Sequence, residues 1–248
     1  MTFKDHFSTA AQLYADARPR YPEALMDFVA SSAPSRERVW DVGCGNGQAS
    51  LALAERFTHV LATDPSAEQI ARAPVCENVR FLVERAEESS ADDASCDAVT
   101  VAQALHWFDR ERFFDEVKRV LKPNGVLVVW GYSTFHIAPV VDDLFTDIVL
   151  HAIEPDWPKE NALLWHGYES IVFPFEKLPV PALDVEVQWT LDALLTYVRT
   201  WSGTRRYMER TGDDVVLRAK DAIAAHWDID EKRVVRMPIH LQARRMVG

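Results

Sequence analysis

The run RVWDVGCGNG, Arg38 to Gly47, admits few folds. Val39, Trp40 and Val42 favour an extended strand, and the glycines at 43, 45 and 47 then allow backbone conformations that cost other residues too much. An Ala- and Leu-rich helical stretch follows, so the order is strand, glycine-rich turn, helix. Missing Cβ atoms let a ligand lie directly on the main chain, where a helix N-terminus offers unpaired N–H groups.

Two acids narrow the ligand. Asp41 stands at the end of the strand just before the first glycine, and Asp64 closes a second apolar strand, HVLATD. A carboxylate at the end of the second strand is placed to accept both hydroxyls of an adenosine ribose, as in nucleotide-binding βαβ units. The dinucleotide fingerprint, however, is GxGxxG with a pyrophosphate on the helix, whereas the order here is DxGxGxG. An anion beside Asp41 is repelled and a cationic adenosine ligand is not.

The chain beyond this turn alternates in the same way. HVLATD, VRFLVERAEE, CDAVTVAQALHWF and GVLVVWGY read as strands, with a helix carrying Phe113, Phe114, Val117, Val120 and Leu121 on one face before the last of them. Near-continuous Val/Leu/Ala strands with short connections require a parallel sheet covered by helices on both faces. Ligands of such sheets collect at the carboxyl ends of the strands, so Gln103, Ala104, Leu105, His106 and Trp107 are expected to face the cleft. Ser66, after Pro65, is placed to cap a short helix. Upstream, Phe3, Phe7, Ala10, Ala11 and Tyr14 recur at helical spacing, and Pro19 and Pro22 then interrupt any helix. After Tyr132 the pattern loosens into an amphipathic helix over 140–153, a Pro- and Trp-rich stretch to about 182, the strand-like VEVQWTL, a helix from Asp192 to Trp201, a helix over 213–227 and RVVRMPIHLQARRM.

Composition excludes several classes. The 248 residues suffice for one core with an added lobe, and no apolar run approaches a membrane span. A net charge of -11 disfavours nucleic acid as the main partner. The N-terminus lacks a signal peptide's apolar core, and Cys44, Cys76 and Cys96 form no CxxC pair, so free thiols and a cytoplasmic location are expected. No HExxH or clustered Cys/His spacing announces a metal, and no GxSxG elbow announces a hydrolase.

DVGCGNG, LATD, ERAEE, SCDAVTVAQALHWFD and EVKRVLKPNGVLVV stand in the order and spacing of the type 11 domain of class I S-adenosylmethionine-dependent methyltransferases, which the chain resembles over about 38–132. HWFD and the RPRYP arm together look most like the trans-aconitate-methyltransferase-like subgroup. Asn124 departs from the pattern, since glycine is usual before Gly125. The resemblance implies a Rossmann-like, mostly parallel seven-stranded α/β sheet with an antiparallel last strand, VEVQWTL and RMPIHLQARR suiting the final antiparallel pair. It implies four segments: an N-terminal helical arm over the cleft (1–37), the cofactor-binding core (38–132), an insertion lobe (133–182) and a C-terminal part completing sheet and acceptor cleft (183–248). It implies S-adenosyl-L-methionine as cofactor, held by Asp41, Gly43, Cys44, Gly45, Asp64, Pro65, Ser66, Ala86, Glu87, Gln103, Ala104 and Trp107, with Arg18 and Tyr21 from the arm.

The expected partner is a small-molecule methyl acceptor, neither nucleic acid nor membrane. His106 is the candidate base, because its ordinary pKa suits proton transfer near neutrality; the competing reading is a histidine packed beside Trp107. Residues 1–196 carry 16 Lys+Arg against 31 Asp+Glu, whereas residues 197–248 carry 11 against 7. Within that basic tail Arg199, Arg205, Arg206 and Arg210 surround Trp201 and Tyr207, and guanidinium groups grip carboxylates. Tyr14, Trp201, Arg205 and Arg206 are therefore the acceptor candidates, and a carboxylic acid the expected acceptor. Two alternatives stand beside this reading: an NAD-dependent oxidoreductase, and a catalytically silent protein that binds the cofactor and serves a partner.

Overall fold

The computed structural model describes residues 19–247. Tyr14 and Arg18, and with them most of the expected arm, lie outside the described residues. The described chain opens with helix α1 (Glu23–Ser32), whose Leu25, Met26, Val29 and Ala30 are buried, and enters strand β1 (Arg38–Val42). Helix α2 (Gln48–Ala54), β2 (His59–Asp64), the single turn α3 (Ala67–Ile70), β3 (Val79–Val83), β4 (Cys96–Ala102), α4 (Arg110–Val120) and β5 (Leu121–Gly131) follow. These five strands are parallel, in the spatial order β3-β2-β1-β4-β5.

The sheet is completed differently from expectation. The sixth neighbour, antiparallel to β5, is β9 (His240–Arg245), but the seventh is the two-residue strand β6 (Glu176–Lys177), antiparallel to β9. VEVQWTL supplies β7 (Asp184–Trp189), which pairs instead with β8 (Arg233–Pro238) in a separate two-stranded sheet. Pro238 ends β8 and so separates it from β9, because proline cannot donate to a ladder. One sequence run thereby serves two sheets.

Strand register fixes what each face presents. Trp40, Leu61, Val99 and Leu127 lie on one face and share an apolar core with Phe113, Val117 and Val120 of α4. Asp41, aligned with Ala62 and Thr100, lies on the opposite face. Strand β5 begins earlier than expected: Leu121 pairs with Cys96, and a bulge carries the chain through Pro123, Asn124 and Gly125 before pairing resumes at Val126. Asn124 takes φ +63°, a left-handed conformation that asparagine tolerates, which explains how it replaces glycine there.

The described residues form two compact units. One holds Tyr21–Ser133, Ala162–Leu183 and the chain from Pro238 on, which is the seven-stranded sheet with its helices. The other holds Thr134–Asn161 and Asp184–Met237. The stretch 133–182 is therefore not one lobe. Leu164, Tyr168 and Phe175 are buried in the same core as Phe113 and Phe114, which fastens residues 162–183 to the sheet. In the other unit, α5 (Pro139–Phe145) runs through a π-helical turn at Thr146–Leu150, and Trp201 meets the rings of Phe135, Phe145, Trp157 and Tyr197 at centroid distances of 5.6–6.1 Å. The remaining helices are α6 (Asn161–Trp165), α7 (Leu191–Arg199), α8 (Ser202–Thr211) and α9 (Val215–Ile223).

Candidate functional site

The site is built at the carboxyl edge of the sheet, from the turn between β1 and α2. Gly43, Gly45 and Gly47 all have positive φ, at +66°, +56° and +88°. Their surroundings differ. A Cβ on Gly43 would stand 2.6 Å from the Cβ of Ala104, and one on Gly47 would stand 2.6 Å from the ring of Phe81, so both are fixed by packing within the protein. A Cβ on Gly45 would meet nothing within 4 Å among the described residues. At this point the main chain is bare and faces open space.

Asp64 ties that bare turn to β2. Its Oδ2 accepts the Gly45 N–H at 2.9 Å and its Oδ1 the Ser66 N–H at 2.9 Å. A carboxylate has about four lone-pair sites, so it keeps acceptor capacity after both bonds. Ser66 caps α3 by accepting the Gln69 N–H, and Pro65 is exposed between them. The turn's other amides are also turned inward: Cys44 N–H donates to Thr63 O at 3.0 Å and Gly47 N–H to Cys44 O at 2.9 Å. Three of the turn's own N–H groups are thus consumed in holding its shape.

Asp41 is placed behind the turn rather than on its surface. The side chain is fully buried, with Oδ2 accepting the Ser50 hydroxyl at 2.6 Å and Oδ1 the Thr100 hydroxyl at 2.9 Å. Burial pushes its carboxyl up to about 6, against the two hydroxyl donors that favour the anion. Cys44 is buried as well; burial and then the charges of Asp41 and Asp64 push its thiol well up, so it is an inert packing residue. Sequence reading missed Ser50 and Thr100. Strand parity offered the signal, since a threonine opposite Asp41 in an otherwise apolar strand asks for a polar partner.

Three further segments reach this edge. Ala86 is buried, and Glu87, expected either at the ligand or in solvent, accepts the N–H of Asp109, which in turn caps α4. After β4, Gln103 takes φ +58°, donates its N–H to Trp130 O and its Nε2–H to Tyr132 O, and turns the chain. Ala104 is buried against Gly43, and Trp107 is 55% exposed. His106 is buried, 3.1 Å from the Tyr168 hydroxyl through Nδ1 and packed on Trp107 at 4.8 Å between centroids. Tyr21 sets its ring edge-on to Trp130 at 5.6 Å. The acceptor candidates Trp201, Arg205 and Arg206 belong to the other unit, where Trp201 is the centre of the aromatic cluster.

A model of the methyltransferase domain matches residues 40–129. A solved structure, described as a type II methyltransferase from Anaeromyxobacter dehalogenans, is 38% identical, covers 93% of this chain and 99% of its own, and superposes with a TM-score of 0.89. The chain belongs to the methyltransferase family. A protein of Dictyostelium discoideum named as a methyltransferase is 28% identical over 96% of this chain and 94% of its own. A methyltransferase-like protein of Schizosaccharomyces pombe is 32% identical over 69% and 71%. The chain spans about half the length of other curated methyltransferases it matches.

This methyltransferase is an enzyme that uses S-adenosyl-L-methionine, and the nicotinamide alternative falls with that assignment. The turn fits such a ligand, because among the described residues nothing crowds Gly45 and the Asp64 carboxylate beside it keeps acceptor capacity. Among the described residues no group of three or more His, Cys, Asp or Glu side chains is placed to hold a metal, and no helix is long and apolar enough to cross a membrane.

Proposed function

We propose that this methyltransferase methylates a small-molecule acceptor through a carboxylate, as a member of the trans-aconitate-methyltransferase-like subgroup working in the cytoplasm. One observation carries the acceptor class. Of the four arginines around α8, Arg199 is bound to Asp214 at 2.7 Å and Arg210 to Asp156 at 2.8 and 2.6 Å, whereas Arg205 and Arg206 are exposed and form no ion pair among the described residues. Two exposed cations held in no ion pair, of which Arg206 acts on Asp156 only through its charge, suit an anionic acceptor.

Gly45 gives the cofactor its resting surface, and Asp64 offers its remaining lone pairs to the ribose hydroxyls while its bonds to Gly45 and Ser66 hold it in place. Ala86, Glu87, Gln103, Ala104 and Trp107 would line the remainder of the cofactor's surroundings, and Asp41 supplies a buried negative charge beneath the turn. When bound, S-adenosylmethionine supplies a methyl group on a sulfonium leaving group. The chain's own residues then align the partners and exclude water, which is worth roughly 7 to 11 kcal/mol for well-oriented reactants. A carboxylate acceptor asks no proton of His106, whose Nδ1 faces Tyr168. The test is a library of organic acids incubated with enzyme and cofactor, with mass detection of methyl esters. Methyl esters as the products support the reading; transfer confined to uncharged acceptors, or no turnover of any compound, defeats it.

A further inference from the structure

A second histidine stands at the carboxyl edge of the sheet. His240, the first residue of β9, is aligned with Gly131, the last residue of β5, and its Nε2 lies 3.0 Å from the Oγ of Ser133. The ring is seated by Gly167: at φ +61°, a Cβ there would come within 3.2 Å of the imidazole Nδ1. Gln242, two residues along β9, fixes Gly167 by donating to its carbonyl at 2.9 Å. Glycine, glutamine and serine together hold one imidazole at the edge where ligands of an open α/β sheet collect.

The electrostatics keep that imidazole neutral. Partial burial holds His240 below the ordinary histidine range, and the Glu169 carboxylate, the charge acting on it among the described residues, pulls the other way. A neutral ring with Nε2 unprotonated accepts the Ser133 hydroxyl proton, and Glu169 favours the imidazolium once it forms.

We propose that Ser133 and His240 form a proton relay for acceptors whose attacking atom carries a proton, a hydroxyl or an amine. As the acceptor's heteroatom bonds to the methyl carbon, the carbon–sulfur pair stays on sulfur. The acceptor's proton passes to Ser133 Oγ, and the serine's own proton passes to His240 Nε2. The positive charge lost at sulfur reappears on the imidazolium. A carboxylate has no proton to lose, so this goes beyond the carboxylate reading and does not depend on Arg205 or Arg206.

Two measurements test it. Histidine ring signals in NMR titrations of the ligand-free enzyme, assigned through His240→Gln, should place His240 below an ordinary histidine and move in Ser133→Ala. Methyl transfer to phenol, catechol and benzylamine, against benzoate and tricarballylate, is then followed from pH 5 to 9. Transfer to phenol and catechol should rise through the His240 pKa and level off above it, whereas benzylamine, an ammonium over most of this range, adds its own rise with pH. His240→Gln should lower that transfer about a hundredfold or more and erase the inflection, within the usual reach of general-base catalysis, while transfer to the carboxylates stays unchanged. Calorimetric cofactor affinity equal to wild type shows that the variant is folded; if it is not, Ser133→Ala decides by the same profile. No transfer to any of the three protonated probes, or an unaltered pH profile in both variants, overturns the relay. Loss of carboxylate transfer in Arg205 variants is a separate outcome.

Discussion

The glycine-rich turn and the arginine-rich segment around helix α8 both repeat one residue type within a short stretch, and in both the repeats are unequal. In the turn, Gly43 and Gly47 are held by neighbouring side chains while Gly45 faces open space. On and beside α8, Arg199 and Arg210 are held by carboxylates while Arg205 and Arg206 form no ion pair among the described residues. We propose that the members held by nothing among the described residues are the ones that meet a ligand. The difference lies in what does the holding. Backbone conformation, a local property, demands the glycines, whereas the arginines are sorted by acids as far away in sequence as Asp156.

The largest effect should come from separating the glycines. Gly45→Val keeps φ strain but strikes no protein atom, so stability should fall by about 1–2 kcal/mol while cofactor affinity drops by about two orders of magnitude. Gly43→Ala should behave in the opposite way, losing about 2–4 kcal/mol from strain plus the clash with Ala104. Thermal melts and calorimetry on both variants check the pair; equal losses in both measurements would erase the distinction.

Next in size is Asp64. Its removal strips the ribose of a charged acceptor and leaves the Gly45 and Ser66 amides unpaired, so Asp64→Ala should weaken cofactor binding by about ten- to a hundredfold and cost about 2 kcal/mol of stability. Asp64→Asn retains one carbonyl acceptor and should recover part of both. Unchanged affinity in the alanine variant would remove Asp64 from the ligand's surroundings.

These contrasts show what was legible in the residues. The strand–turn–helix at 38–54, the alternation through Gly131 and the position of Asp64 at the end of the second strand follow from local propensity and apolar runs, and the fold has them. The seventh strand did not follow, because Glu176–Lys177 is two residues long and carries no periodicity; β9 alone makes it a strand. The split of 133–182 was equally hidden, since Leu164, Tyr168 and Phe175 look like any aromatic lobe until they are found in the core of the sheet. His240 escaped for a similar reason: its partners, Ser133 and Gly167, are brought to it only by β9 pairing with β5.

Asp41, beneath the glycine turn, is a charge the fold holds at a cost. Burial favours its neutral form in the folded chain, so between an ordinary value near 3.9 and about 6 the folded state binds more proton than the unfolded chain. Stability therefore falls as pH rises through that window and is level above it, the loss approaching about 3 kcal/mol. Asp41→Asn should abolish this slope, matching wild type near pH 4 and exceeding its stability at pH 8, while cofactor affinity falls about tenfold for want of the buried anion. Urea melts at the two pH values check the sign; a wild type that gains stability from pH 4 to 6 relative to the variant would reverse the assignment.

The smallest effect decides the arginine half of the comparison. Arg210 grips Asp156 through Nε and Nη2, and Asp156 is held below the usual carboxylate range first by that hydrogen bond. Arg199 likewise holds Asp214, whose other oxygen accepts the Leu217 N–H at the start of α9. Removing either arginine should lower the melting temperature and leave acceptor KM alone. Arg205→Ala and Arg206→Ala should do the converse, leaving the melting temperature unchanged and raising KM for an anionic acceptor about tenfold with cofactor affinity intact, because the lost partner is the ligand's and not the protein's. Should the double variant keep its KM for every acceptor the enzyme accepts, Arg205 and Arg206 are a solvated helix face, and lack of a partner among the protein's own carboxylates no longer marks a binding residue in α8 as it does in the turn.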